Sequence, residues 1–245
     1  MAIIDDLLTS VKNDSPVRRV VIGPFITAVM ADRCGLASTS LYGDCCHGEM
    51  SMPDAGRLTE RTALELAGLV RNGSPLESAV GVAALNTLLV PDEAQLTDLN
   101  ARDLLMEKGR GGKVAIVGHF PFVPALRKCA GHLSVLELNP LEGDLDASEA
   151  SRVIPDADVV AITGTSLTNH TLDDLLKLCS RDSFVVVLGA STPLSPVLFD
   201  YGVDVVAGTV VSDPELAMRY AGEGANFRQI QGIRRVNLFR EGRKK

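Results

Sequence analysis

Apolar positions recur along the chain at helical and strand periods, and the mixture of the two changes near its middle. Ile3, Ile4, Leu7, Leu8 and Val11 follow the i, i+3, i+4 spacing of an amphipathic helix over residues 2–12, which Asn13 to Pro16 end. The run V-R-R-V-V-I-G-P-F-I-T-A-V-M-A-D is rich in β-branched residues and broken at Gly23-Pro24, so it predicts two strands. L-A-S-T-S-L-Y-G-D is either a third short strand or the approach to a loop. Two helices are then expected. T-E-R-T-A-L-E-L-A-G-L-V-R has Thr59 as its cap and Asn72-Gly73 as its end; P-L-E-S-A-V-G-V-A-A-L-N-T-L-L has Ser74 or Ser78 as its cap and Pro91 beyond it.

From Lys113 strands alternate with helices: K-V-A-I-V-G, S-V-L-E-L, D-V-V-A-I-T-G, F-V-V-V-L-G and V-D-V-V-A-G, with R-R-V-N-L-F as a further candidate. Near-continuous Val/Ile/Leu runs of this kind belong to parallel sheets covered on both faces. The expectation is an α/β chain, with a small α+β domain over residues 1–92 and a doubly wound parallel sheet over residues 93–245.

Composition narrows the function. A chain of 245 residues with 46% hydrophobic content can bury one large core or two modest ones. The net charge of −7 argues against a phosphate-backbone binder, since the basic tail R-E-G-R-K-K is read as a solvated terminus. Runs such as Ala79 to Val90 fall short of the roughly 20 apolar residues that span a bilayer. The start M-A-I-I-D-D carries acid where a signal peptide carries lysine or arginine. A cytoplasmic location is therefore expected, with a small-molecule or metal ligand as partner, neither nucleic acid nor membrane, and self-association left open. Five cysteines, an odd number, read as reduced thiols, and Cys129 and Cys179 close helix-like apolar stripes as core thiols.

In open parallel sheets ligands bind beyond the carboxyl ends of the strands. That rule selects G-H-F-P-F-V-P, E-L-N-P, T-G-T-S-L-T-N-H-T, G-A-S-T-P-L-S-P and A-G-T-V-V-S-D. Gly118 permits close backbone approach, and Glu137 stands nineteen residues later at a strand end. A nicotinamide dinucleotide fits poorly, because G-H-F-P-F-V lacks the second and third glycines of its fingerprint. Thr163, Thr165, Ser166, Thr168, Asn169 and Thr171 offer more hydroxyls than capping requires, and Ser191 and Thr192 precede Pro193, which is expected to open a helix. His119 is the histidine best placed for chemistry. His132 reads as part of a surface turn, His170 as pointing into a helix start, and Asn86 as either a satisfied buried amide or a cavity-lining group.

The decapeptide L-Y-G-D-C-C-H-G-E-M is the densest in metal-ligand types. Thiolate and imidazole at Cys45, Cys46 and His47 favour zinc, iron or copper. Adjacent cysteines in extended chain point apart, so both reach one ion only if Gly43 and Gly48 fold the loop sharply. A closed zinc site would need Asp44, Glu49 or His119 as a further ligand. A metal-free turn remains the competing reading.

Four segments together carry a resemblance: V-A-I-V-G-H-F-P-F-V-P-A-L, V-L-E-L-N-P, A-D-V-V-A-I-T-G-T-S-L-T-N-H-T-L-D-D-L-L and V-V-L-G-A-S-T-P-L-S-P-V-L-F-D-Y-G-V-D-V-V-A-G. They resemble the heavy-metal chelation family, long classed as a domain of unknown function, and V-G-V-A-A-L-N-T-L-L is similar to that family's amino-terminal partner. The resemblance implies an enolase amino-terminal-like domain followed by a Rossmann-like domain, a site in the cleft between them and a role in binding or chelating metal. Its motif positions are Asn86, Gly118, Phe120, Pro121, Glu137, Asn139, Thr163, Gly164, Asn169, Thr171, Ser191, Thr192 and Pro193. Relatives often carry an apolar or aromatic residue where this chain has His119, and the Cys45-Cys46-His47 run lies outside the family pattern.

The function expected is binding of a heavy metal, or of a small metal-chelating or anionic metabolite. Glu137 would be acid/base or ligand, His119 proton carrier or ligand, and Asn139, Thr165 and Asn169 the orienting groups. Two alternatives stay open: an S-adenosylmethionine- or nucleotide-type transferase with Gly118 and Glu137 on the cofactor, and a non-catalytic carrier.

Overall fold

A computed structural model of the chain describes residues 2–39 and 51–242. Three strands, β1 (Arg19–Ile22), β2 (Ile26–Met30) and β3 (Cys34–Ser38), form an antiparallel sheet in that order. The break at Gly23-Pro24 is a tight hairpin closed by Gly23 N–H donating to Ile26 O at 3.0 Å. A Cβ at Gly23 would stand 2.0 Å from Ala221 O, so a neighbouring helix dictates glycine there. Helix α1 (Ala2–Thr9) buries Ile3, Ile4, Leu7 and Leu8 as its spacing predicts, but stops before residue 12.

The next helix does not begin at Thr59, which lies in a 3-10 turn over Leu58–Glu60. It is α2 (Ala63–Ala67), and Thr62 caps it because Glu65, three residues on, returns the bond: Thr62 Oγ1 accepts from Glu65 N at 3.3 Å and Glu65 Oε2 from Thr62 N at 2.8 Å. Asp14 adds a second clamp, accepting Leu64 N at 2.9 Å and Ser15 N at 2.8 Å. Partial burial pushes its carboxyl up, but the bonds from Thr62, Leu64 and Ser15 outweigh this and hold it below its ordinary value. A depressed carboxyl stabilises fully above its unfolded pKa, and that stabilisation is lost as pH falls through the folded value. Asp14→Ala is expected to cost about 1 kcal/mol near neutral pH, with the difference from the parent vanishing in acid. Urea unfolding along a pH series measures this, and a penalty that persists in acid would show that the charge is not the cause.

Helix α3 (Pro75–Leu88) is apolar nearly all round, as a helix enclosed on most sides must be. It lies on one face of the three-stranded sheet, where Val29 and Ala37 join Val82, Ala83 and Leu85 in the main core. Helix α9 (Pro214–Gly222) covers the other face, packing Ala217, Met218 and Ala221 against Ile26, Ala28, Cys34 and Leu36.

The second sheet has eight strands: β4 (Leu96–Thr97), β5 (Lys113–Val117), β6 (His132–Glu137), β7 (Leu145–Asp146), β8 (Val159–Thr163), β9 (Phe184–Leu188), β10 (Val205–Val211) and β11 (Ile233–Phe239). Their order is β4-β11-β10-β9-β8-β5-β6-β7. The strands from β7 across to β10 run parallel; β11 turns antiparallel beside β10, and β4 pairs antiparallel with β11. The fold is thus mixed α/β with a parallel-rich sheet, and R-R-V-N-L-F is the strand that breaks the parallel rule. Strand alternation sorts the side chains to two faces. Val114, Ile116, Val159, Ala161, Val186 and Leu188 pack with Leu104 and Leu105 of α4 (Ala101–Lys108) and Leu126 of α5 (Val123–Leu126). Ala115, Val160, Ile162, Val185 and Val187 face α6 (Ala150–Val153) and α8 (Leu172–Leu178), and the same core continues through Leu198 to α1 and α3. Among the described residues no helix is long and apolar enough to cross a membrane.

Candidate functional site

The chain leaves β5 toward β6 and β7 on one side and returns to β8, β9 and β10 on the other, so strand order reverses between β5 and β8. At that point Gly118 adopts φ 103°, and its N–H extends the ladder to Leu136 O at 2.9 Å. A Cβ there would lie 3.0 Å from Thr163 Cβ and in a conformation L residues rarely take, so glycine lets the ends of β5 and β8 close together.

The turn that follows is held by two carboxylates. Glu137, at the end of β6, accepts His119 N at 2.6 Å on Oε1 and Leu138 N at 3.2 Å on Oε2. Asp144 accepts Leu141 N at 3.2 Å and meets His119 Nδ1 at 3.0 Å, both on Oδ2. The Asp144 side chain is 2% exposed and that of His119 36%. A buried carboxylate facing Nδ1 selects the tautomer with the proton on Nδ1, which leaves Nε2 as a lone-pair donor.

Across the turn lies the β8 loop and α7 (Thr165–Thr168). Thr163 Oγ1 and Thr165 Oγ1 are 2.9 Å apart, while Ser166 Oγ and Thr168 Oγ1 donate to Thr163 O and Thr165 O. Asn169 Oδ1 accepts Thr171 Oγ1 at 2.7 Å and Thr171 N at 3.3 Å, so the Asn169 amide nitrogen is the group with donors to spare. Gly118, His119, Phe120, Glu137, Thr163, Thr165, Asn169 and Thr171 all line one cavity of about 270 Å³, whose walls are completed by Leu136, Ala150 and Leu175. Among the described residues the lining holds one carboxylate and neither lysine nor arginine.

Other positions singled out in the sequence stand elsewhere. Asn139 is exposed two residues past Glu137 and is not among the lining residues. Asn86 sits between α3 and β3, where Nδ2 donates to Leu36 O at 2.9 Å and Oδ1 is buried without a partner. Ser191 is buried and its Oγ accepts Ser38 N at 2.8 Å, fastening the β9 loop to the end of β3. Thr192 packs against Gly164, where a Cβ would meet its Oγ1 at 2.5 Å. Pro193 opens no helix; Ser195 caps a 3-10 turn that begins at Pro196. His170, at φ 62°, directs Nε2 to Val70 O at 2.7 Å, and His132 starts β6 with Nε2 3.2 Å from Ser134 Oγ. Ser191, Asn86 and His170 thus tie segments together instead of facing the cavity.

The Cys45-Cys46-His47 run lies outside the described residues. Burial, with the Glu215 charge nearby, pushes the Cys34 thiol up to about 12, and burial alone does the same for Cys179, so neither is a ready thiolate ligand. Among the described residues no group of three His, Cys, Asp or Glu could hold a metal ion. Glu137 and Asp144 already serve backbone N–H groups and His119, so these residues do not make a closed zinc, iron or copper site. Asp144 was not singled out in the sequence. No local spacing marks it, because it stands 25 residues from its histidine and is brought there by the β6–β7 pairing.

The DUF364 family model, described as "Putative heavy-metal chelation", matches residues 100–240, and a second model of the same description, DUF4213, matches residues 4–89. An uncharacterized protein of Methanocaldococcus jannaschii is 30% identical over 154 residues, 59% of this chain and 59% of that protein, so the match spans less than two thirds of that relative. The crystal structure of a DUF364 protein of unknown function from Desulfitobacterium hafniense DCB-2 superposes with a TM-score of 0.84 at 26% identity, covering 98% of each chain. A second, from Pyrococcus horikoshii, gives 0.79 at 18% identity over 97% of this chain and 98% of that one, a likeness of fold alone.

Proposed function

The chain belongs to the DUF364 family, and from that premise we propose that the cavity at the ends of β5, β6 and β8 binds a small metal-chelating metabolite as its transition-metal complex. The observation that carries this is the His119–Asp144 pair at 3.0 Å, with the carboxylate buried. A histidine whose Nδ1 is held by a carboxylate offers a fixed Nε2, the arrangement found behind metal-ligating histidines. Electrostatics favours the complex over the bare chelator, since among the described residues the lining carries Glu137 and neither lysine nor arginine. The described residues cannot complete a coordination sphere, so an ion seated here would bring most of its ligands with it. The volume, below the roughly 300 Å³ at which drug-sized pockets begin, suits a compact metabolite and not a dinucleotide.

In this reading Nε2 of His119 takes one position on the cargo metal. The Asn169 amide and the Thr163 and Thr165 hydroxyls orient the chelator's oxygens, and Glu137 acts as the clamp that positions the His119 backbone. A second reading, a transferase using an S-adenosylmethionine- or nucleotide-type cofactor, draws on Gly118 at the end of β5 and Glu137 at the end of β6. Saturable binding of the adenosyl cofactor would select it.

The test is calorimetry with zinc–citrate, zinc chloride and citrate on tag-free protein. The complex is expected to bind at least about tenfold more tightly than either component, a difference of ~1.4 kcal/mol, and to lose that advantage in His119→Ala. Citrate binding as well as its complex, or an unaffected His119→Ala variant, sinks the proposal. Elemental analysis of the same protein beside a Cys45/Cys46 double alanine variant reports separately on metal held by that pair.

A further inference from the structure

A second cavity, of about 610 Å³, opens on the opposite face of the eight-stranded sheet, over Leu188 and Ala207 of the core shared with α4 and α5. Its walls join two chemistries. Phe120 and Phe122 stack with ring centroids 5.1 Å apart and planes 15° from parallel, and Phe227 lines the same space. Arg102, Arg228 and Arg235 line it as well. The Arg235 guanidinium lies 5.0 Å over the Phe227 ring and donates to Phe227 O at 2.8 Å, so it is held in place with further donors to spare. Asp98, the lining carboxylate, is paired with Arg234 at 3.3 Å. Adjacent residues on a strand face opposite sides, and β11 thus sends Arg234 to Asp98 and Glu93 while Arg235 joins the cavity. The first residues of α4 line it too, and a helix amino end favours an anion.

Three arginines lining one cavity, of which Arg102 lies 3.8 Å from the Asp103 carboxylate, run against a net charge of −7. Phenyl faces alone would suit any apolar guest, and arginines alone any anion; together, in a volume within the range of small-molecule pockets, they specify one class. We infer that this cavity binds a planar heteroaromatic phosphate of mononucleotide size, its ring against Phe120, Phe122 and Phe227 and its phosphate on the arginines. The inference does not depend on the metal-chelate reading, since among the described residues Phe120 is the one that lines both cavities.

The probes are AMP, adenosine and inorganic phosphate, titrated calorimetrically into the full chain and into Phe227→Leu, Arg228→Gln and His119→Ala variants. AMP is expected to saturate below about 1 mM and to bind at least tenfold more tightly than adenosine or phosphate. Phe227→Leu, which keeps apolar bulk but removes the ring, is expected to weaken AMP by roughly fivefold to a hundredfold, and Arg228→Gln by at least about threefold. His119→Ala is expected to leave AMP affinity unchanged. Phe227→Leu melting with the parent keeps a loss of binding from being a loss of fold. Absence of AMP saturation, equal affinity for adenosine, or AMP binding lost in His119→Ala but kept in Phe227→Leu overturns the inference.

Discussion

Replacing Asp144 by asparagine is expected to weaken zinc–citrate binding by about 10- to 100-fold, the size typical of losing the carboxylate behind a metal-bound histidine. The side chain keeps its volume and its turn but loses the charge that fixes the proton on Nδ1 of His119. The neutral amide can present its NH₂ to that nitrogen instead, which selects the other tautomer and removes the lone pair from Nε2. An NH₂ in the place of Oδ2 also gives up the Leu141 N–H bond made by that same oxygen, so stability should fall by about 1–3 kcal/mol without loss of the fold. Calorimetry of the variant, with a melting curve beside it, separates the two quantities. A folded Asp144→Asn protein that binds zinc–citrate as tightly as the parent would remove the His119–Asp144 pair from any account of the cavity.

Gly35→Ala should be strongly destabilising. A Cβ at Gly35 would stand 2.2 Å from Ala83 O, 2.6 Å from Thr87 N and 2.8 Å from the Asn86 carbonyl carbon, all backbone atoms of α3. No rotamer relieves such a clash; the helix must lift from β3. That lift also strains the Asn86 bond to Leu36 O, whose amide oxygen already lacks a partner. Overpacking against backbone is expected to cost about 3 kcal/mol, or roughly 6–12 °C in Tm for a chain of this size. Differential scanning calorimetry measures it, and a variant melting within ~2 °C of the parent would mean that α3 and β3 are not packed this closely.

Both predictions depend on contacts that the sequence shows unevenly. The strands at the centre of the eight-stranded sheet were legible because K-V-A-I-V, V-V-A-I-T and F-V-V-V-L are apolar at nearly every position, as burial on two faces requires. β4 and β7 were not, since two residues are too short to show a period. The start of α2 was legible in principle: Glu65 follows Thr62 by three residues and nothing equivalent follows Thr59, so the capping box, not the first threonine, decides. α4, which the periodicity did not mark, carries a cap at Asn100 and a mixed apolar pattern that only its packing on β5 and β8 resolves.

Chain order and periodicity by themselves determined the mixed α/β class, the strands and the loops that gather at their carboxyl ends, because those properties follow from local backbone preference and from which faces must be buried. They therefore brought Gly118, His119, Glu137, Thr163, Thr165 and Asn169 to one list. The tertiary structure alone decided which of the listed groups face a cavity and which fasten segments to one another. Asn86, Ser191 and Thr192 share the polar chemistry of the lining residues, but α3, β3 and the β9 loop press together where they stand and consume or enclose their hydrogen-bonding atoms. Asp144 and the arginine-ringed cavity are likewise products of strand pairing, since β7 and β11 bring together residues far apart in sequence, and no one-dimensional spacing encodes a distance set by sheet geometry.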